Sequence, residues 1–349
     1  MLMQPEGVCY NLYMPKQIIE TLLERLSLAL KARSSLLDDD HQAAFRLFSG
    51  FYEGFPELVV DLYADSLVLF GYGEDPETVR VVFDAAQRLL LESFPWVKCV
   101  VRKHRLARND EPRRGVIAYG ERPAQQVREH GVWYAINLLM NQDASFYLDT
   151  RNLRRWLLEH MKGLEVLNTF AYTGSLGIAA LAGGAARVVQ VDRNRDFLAL
   201  ARESGMRSRL DIGRMKLKTA DFFPRVAQFK RQGELFDCVI LDPPFFSTTR
   251  KGTIDLAQES VRVINKVRPL IRDGGTLVAI NNALFLSGAG YIEALEGLCR
   301  DGYLHIEQLI PVPEDLCGYP DTIVAPPPSD PTPFNHPTKI AVLGVRRKA

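Results

Sequence analysis

Paired cysteines are missing from this sequence. Its five, Cys9, Cys99, Cys238, Cys299 and Cys317, are scattered, and no two form a Cys-x-x-Cys pair. That spacing argues against a structural zinc site and a disulfide framework, and points to reduced thiols in a cytoplasm. Long apolar runs are missing too, none approaching the ~20 residues that span a bilayer. The first residues, MLMQPEGVCYNLYMPKQ, lack the charged and apolar regions of a secretory signal. A charge imbalance is also absent. With a net charge of +1 over 349 residues, the chain has no global attraction for polyanions. A nucleic acid would have to be met by a local patch. The expectation is a cytoplasmic protein with no membrane and no metal.

Hydrophobic residues make up 47%, enough for sizeable cores, and the length suggests two or three domains. Residues 1–40 read as a helical N-terminal segment. Within it, Ile19, Leu22, Leu23, Leu26 and Leu30 share one face of a helix over 15–36. Residues 41–135 read as a small α+β substrate-binding domain. Its short strands in FRLFSGFYEGFPELVVDLYADSLVLFGYG are broken by turns, with a helix near 76–92 and a strand in WVKCVVRK. Between 98 and 114 stand seven basic and two acidic residues, including Arg102, Lys103 and Arg105. Such a run suits either a solvated loop or a phosphate-contacting patch.

From 136 to 349 strands alternate with helices, the pattern of a doubly wound, largely parallel α/β sheet. Strands are expected at LEVLN, RVVQVD, MKLKTAD, FDCVILD, TLVAINN, HIEQLIPV and KIAVLGVRR. A helix over 256–271 is expected to close at Gly274-Gly275. Residues 318–338 are proline-rich and read as a long ordered loop.

In such sheets a ligand lies outside the carboxyl ends of the strands. The informative residues are therefore Asn168, Asp192, Asp221, Asp242 and Asn281. The first turn, NTFAYTGSLG, bends at Gly174 before a helix that Thr173 or Ser175 can cap. It lacks the G-x-G-x-x-G of dinucleotide enzymes, which counts against NAD. Asp192 ends the second strand, where an acid can accept both hydroxyls of a ribose. Asp221, in TADFF, can accept an exocyclic amine with Phe222 against the ring. Each acid alone could equally be a helix cap; three in register are a stronger signal.

The fourth strand ends in LDPPFF. Pro243 and Pro244 stiffen the backbone and remove two donors. Asp242 and free carbonyls remain to hold an amine or a ring edge, while Phe245 or Phe246 stacks on a planar base. That is a layout for a flipped nucleobase.

The order NTFAYTGSLG, VDRN, TADFF, LDPPFF resembles class I S-adenosylmethionine (SAM)-dependent methyltransferases. More narrowly, the chain is similar to bacterial large-subunit ribosomal RNA methyltransferases of the I and K/L type. RLFSGFYEGFPELVVDLYADSL resembles that family's small domain, and NQDASFYLDTRNLR its segment before the first strand. The resemblance implies a seven-stranded Rossmann-like sheet with a smaller N-terminal α/β domain. It implies SAM beside Phe146, Asp149 and Arg151. It implies SAM also beside the turn Asn168, Thr169, Phe170, Ala171, Thr173 and Gly174, and beside Asp192, Arg193, Asp221, Phe222 and Asp242. Asp242, Pro243, Pro244 and Phe245 would form the catalytic corner. Phe246, Asn281 and Asn282 would meet the base, and Arg102, Lys103 and Arg105 the RNA.

Two departures stand out. Residues 1–40 are too short for the PUA-type RNA-binding domain of the family's 5-methylcytosine members. Those members also carry a cysteine after the fifth strand, where this chain has AINNALFLSG. Carbon-5 of cytosine is a poor nucleophile until a thiolate adds to carbon-6. Cys238 falls inside the fourth strand and Cys317 in a late loop. The expectation is therefore methylation of a base nitrogen in ribosomal RNA. The alternatives are a protein or small-molecule acceptor, a non-catalytic RNA-binding protein of the same fold, and an NAD-linked oxidoreductase.

Overall fold

The computed structural model describes residues 16–244, 246–249 and 252–347, with side chains outside 246–259. Its first sheet has five strands, β1 (Ala44–Ser49), β2 (Leu58–Tyr63), β3 (Ser66–Gly71), β4 (Cys99–His104) and β5 (Val116–Tyr119), lying side by side in chain order. All neighbours are antiparallel except β3 and β4. The helix Pro76–Ser93 makes that parallel crossover. Asp75 starts it by accepting from the Thr78 N–H at 2.8 Å, with Pro76 in the first turn, where no N–H is needed. Val79, Val82, Phe83, Ala86 and Leu90, spaced by three and four, turn its apolar stripe to the sheet. The helix Lys16–Ala32 adds Leu22, Leu26 and Ala29 to the same core.

A hairpin follows, β6 (Gln126–Glu129) with β7 (Val132–Ala135). The second sheet has seven strands. In chain order they are β8 (Glu165–Thr169), β9 (Arg187–Asp192), β10 (Met215–Thr219) and β11 (Phe236–Leu241). A short antiparallel pair, β12 (Phe246–Thr249) and β13 (Gly252–Asp255), intervenes. The sheet is completed by β14 (Ile271–Asn281), β15 (Leu304–Ile310) and β16 (Lys339–Val345). The spatial order is β10-β9-β8-β11-β14-β16-β15. The first five are parallel and β16 runs antiparallel between β14 and β15. The sheet is thus the expected doubly wound, Rossmann-like one.

Both faces are covered, so successive residues of one strand enter different cores. Val166, Val188, Cys238, Ile240 and Val278 pack on one side. Leu167, Val189, Val239, Leu241 and Leu277 pack on the other. This is why the strands read as continuous apolar runs. Truncating Ile240, which is fully buried, to alanine is expected to cost ~2–5 kcal/mol.

One boundary differs from expectation. The helix beginning at Leu256 stops at Val267, and a 3-10 turn, Arg268–Leu270, follows. Pro269 cannot continue the α-helical hydrogen bonds. Gly274 and Gly275 therefore lie inside β14, where the register with β11 shifts.

The two sheets meet across buried charges. Arg33 donates to Glu53 Oε1 at 2.8 Å and to the Asp315 carbonyl at 2.8 Å. The Asp315 carboxylate accepts from the Arg46 N–H at 2.9 Å and from Arg151 at 2.9 and 2.7 Å. Nearby, Arg154 forks onto both Glu129 oxygens at 2.6 and 2.8 Å.

Candidate active site

The strand order reverses between β8 and β11, which opens a crevice at their carboxyl ends. A cleft of about 280 Å³ lies there, near the lower end of the ~300–1,000 Å³ usual for small-molecule sites. Asp149, Phe170, Asp192, Arg193, Asp221, Phe222, Asp242, Pro244 and Asn282 line it, all of them expected from the sequence.

The turn after β8 is held in an uncommon backbone shape. Phe170 and Tyr172 have φ of 53° and 51°, and Gly174 has 77°. Such values at two aromatic residues persist only where neighbours hold them, and they concentrate at ligand sites. Here Asp192 Oδ2 accepts from the Tyr172 N–H at 2.8 Å, and the Val191 carbonyl from the Ala171 N–H at 2.9 Å. Asp192 Oδ1 accepts from Asn194 N–H at 2.8 Å. Asp192 thus orients the turn and still faces the cleft.

Asp221 occupies the N-cap position of the helix Phe222–Arg231, yet its side chain makes no capping bond. Its carboxylate is left to the cleft. Phe170 stacks on Phe222 with centroids 4.5 Å apart, and Phe223 meets Phe222 edge-on at 5.1 Å. Opposite them, Tyr172 packs against Phe197 at 4.5 Å. Aromatic walls beside two carboxylates suit a planar ring with an amine and a ribose, which is what the adenosine of SAM presents.

Asp242 has no hydrogen-bond or cationic partner among the described residues. Burial, reinforced by the nearby Asp149, pushes its carboxyl up to about 7. Asp149 itself accepts from the Thr338 hydroxyl at 2.8 Å. Pro243 is buried and Pro244 is exposed on the cleft wall. Phe245 lies outside the described residues, as does the side chain of Phe246.

Several expected residues do not line the cleft. Asn168 is buried and donates to Gln190 Oε1 at 3.1 Å, behind the turn. Gly174 accommodates that same glutamine, since a Cβ there would lie 2.7 Å from Gln190 Oε1. The Thr169 hydroxyl ties β8 to the Ile240 carbonyl at 2.8 Å. Ala171 is buried, and the Asn281 side chain accepts from the Ala283 N–H at 2.9 Å. Phe146 lies under Arg154, whose guanidinium carbon is 4.1 Å from the ring centre. Arg151 points to Asp315. Neither Thr173 nor Ser175 caps the following helix. The Thr173 hydroxyl donates instead to the Ser145 carbonyl at 2.7 Å.

The basic run is also split. Arg102 lies over Phe83 and donates to Asp84 at 2.7 Å on the helix side of β4. Lys103, its neighbour, faces the opposite side, fully buried. Its ammonium donates to the carbonyls of Arg114 and of Asn141. Burial pulls that ammonium down to about 7. Lys103 therefore cannot meet a phosphate at the surface. Arg105 donates to the Gln142 carbonyl. The exposed cations of the run are Lys98, which pairs with Asp65 at 2.9 Å, and Arg108 and Arg114.

Sequence reasoning missed Tyr147, Tyr172, Phe197, Phe223 and Thr338 among the lining residues. Tyr147, Tyr172 and Phe223 stood inside segments already singled out, and Phe197 lies three residues beyond VDRN. Thr338 had no local signal, because it reaches the cleft only through the order of the sheet.

A family model described as S-adenosylmethionine-dependent methyltransferase matches residues 52–318, and the chain belongs to that family. Among relatives, a ribosomal RNA large subunit methyltransferase I from Aeromonas salmonicida is 31% identical over 265 residues, 74% of this chain. The alignment spans 66% of that relative's length, just under two thirds. A candidate large-subunit ribosomal RNA methyltransferase from Bacillus subtilis is 29% identical, covering 90% of this chain and 81% of the relative. A solved candidate methyltransferase, complexed with SAH, shares the fold with a TM-score of 0.81 at 21% identity. That likeness covers 94% of this chain and 82% of the other.

Proposed function

We propose that this protein transfers a methyl group from SAM to a base nitrogen of large-subunit ribosomal RNA. SAM, when bound, supplies a methyl group activated for displacement. Asp192 would hold the ribose and Asp221 the adenine amine, between the Phe170–Phe222 and Tyr172–Phe197 walls. Asp149 would meet the methionine end. The stiff Asp242-Pro243-Pro244 corner would hold the base edge, with Asn282 on the facing strand end. Positioning the nitrogen in line with the methyl group is the main work of such a site. Acceptors at the corner stabilise positive charge growing on the base and take up its proton. An ionised Asp242 serves that role, and its carboxyl sits near the pH at which it can exchange protons.

The observation that carries the nitrogen reading concerns sulfur. No cysteine lines the cleft among the described residues. Cys238 is fully buried in β11, and burial pushes its thiol up to about 12. The Cys317 thiol is likewise pushed up to about 12, by burial and the adjacent Asp315. Neither is poised to add to a pyrimidine ring. The ribosomal RNA reading is supported by the named relatives. Residues 41–135 would bind the substrate, with Arg108 and Arg114 among their exposed cations.

The test is nucleoside mass spectrometry of ribosomal RNA from the host with and without the gene. Loss of one nitrogen-methylated nucleoside is expected. A lost 5-methylcytosine would overturn the nitrogen reading, and an unchanged profile would redirect the search to other acceptors.

A further inference from the structure

The cleft holds an aromatic side chain to which neither the strand-end pattern nor the family motifs assigned a role. Tyr147 lines the cleft, and the residue is 46% exposed. It shares that lining with Asp149 and Asp242. It is fixed from two ends. Its hydroxyl donates to Asp143 Oδ2 at 3.0 Å. Its carbonyl accepts from Arg154 at 2.8 Å and from the Thr150 hydroxyl at 3.1 Å. Arg154 is itself fully buried and forked onto Glu129. Asp143 also accepts from the Tyr172 hydroxyl at 2.5 Å, and the two tyrosine rings pack with centroids 5.3 Å apart.

An aromatic ring that is buried for packing has no need to be half exposed. One exposed by chance is not anchored at both ends. This ring is anchored, open to solvent, and beside the acid corner. A fixed ring loses little rotational freedom when it binds, which favours stacking on a planar partner.

We propose that Tyr147 is the stacking platform for the target base, opposite Pro244, with Asp242 meeting the base edge between them. This rests on the reading of the protein as an RNA base methyltransferase. Asp143 then acts as a positioning residue, holding the ring through its hydroxyl. The reacting atoms are untouched by the ring. Its loss should raise KM for RNA more than it lowers kcat.

The experiment compares wild type with Tyr147→Phe, Tyr147→Leu and Tyr147→Ala. It uses methyl-labelled SAM and ribosomal RNA from a host lacking the gene. SAM affinity is measured by calorimetry on each variant. Base–aromatic stacking sets the scale, so Tyr147→Ala and Tyr147→Leu should raise KM for RNA about 10- to 100-fold. Tyr147→Phe should stay within about 3-fold, because it keeps the ring and loses one bond. SAM affinity should hold in all three, which also certifies the fold. An unchanged KM in the alanine variant overturns the platform. So does a loss of SAM affinity matching the loss of RNA turnover, or a leucine variant as good as phenylalanine. If wild type transfers no label to RNA, the underlying reading fails and the platform falls with it; the wild-type control separates that outcome from the others.

Discussion

Two groups of acids in this molecule live under opposite rules. Between the sheets, Glu53, Glu129 and Asp315 are buried, and each is matched by an arginine. In the cleft, Asp221 and Asp242 have no cation against them among the described residues, and Asp149 meets only a hydroxyl. Paired buried charges hold a fold together once formed, and breaking one partner is costly. Asp242, desolvated and uncompensated, instead costs stability until a ligand meets it. The first group describes architecture and the second describes a binding site. Counting acids would not separate them, whereas their partners do.

The comparison can be broken most forcefully from the structural side. Glu53→Ala leaves Arg33 buried without its carboxylate. It is expected to lower unfolding free energy by ~3–5 kcal/mol in urea titrations. Activity per folded molecule should persist, since Glu53 lies away from the cleft. An equally stable Glu53→Ala protein would remove the distinction.

Asp242→Ala should do the reverse. Methyl transfer should fall ~10²–10³-fold, the scale for losing one charge-stabilising group. The thermal midpoint should not fall. The sign follows from linkage. In the folded protein Asp242 binds its proton up to about 7, against an ordinary 3.8. Between those values the native state holds more protons than the unfolded one, so stability declines as pH rises. At pH 8 Asp242→Asn should therefore be the more stable protein. Its advantage should shrink as pH falls through 7 and vanish below about 4.

A subtler effect is the pH dependence of kcat/KM for RNA, which should climb through a pKa near 7. Asp149→Asn removes the second cause of that raised value. It should move the climb to lower pH by part of the shift, because burial, the larger cause, remains. A fixed midpoint would mean that another group titrates.

The smallest effects belong to the surface. Replacing Arg108 and Arg114 should lower the salt slope of RNA binding by about 1.4 on single strands, if both meet phosphates. Arg102→Ala should leave the slope alone and cost at most ~1 kcal/mol of stability, since its partner Asp84 is partly exposed.

Much of this was legible in the sequence. Parallel strands covered on both faces are long apolar runs, and an acid at the end of such a run stands out. Asp192 and Asp242 were visible for that reason, while Asp221, after the edge strand β10 of mixed burial, stood out only in register with them. Arg102 and Lys103 were grouped as one patch from their charge alone, although WVKCVVRK already read as a strand. On a strand, neighbours face opposite sides, and β4 sends one to its helix and the other into the interior. Asn168 and Asn281 were read as site residues because they end strands. Asn168 is turned to Gln190, a neighbour brought in from β9, and Asn281 accepts from the Ala283 N–H two residues on. The helix end at Val267 was readable in principle from Pro269, but the glycine pair downstream looked the better stop.

The bond from Thr338 to Asp149 joins residues 189 positions apart. β16, which begins at Lys339, slots between β14 and β15 rather than at an edge. A chain leaving the ribosome therefore displays β8 to β11, and the acids after them, long before the cleft is walled. Contacts of such long sequence separation form late and slowly. SAM should bind poorly to a nascent chain stalled before residue 338 and protect it little from proteolysis. Release of the last strand should bring both properties at once.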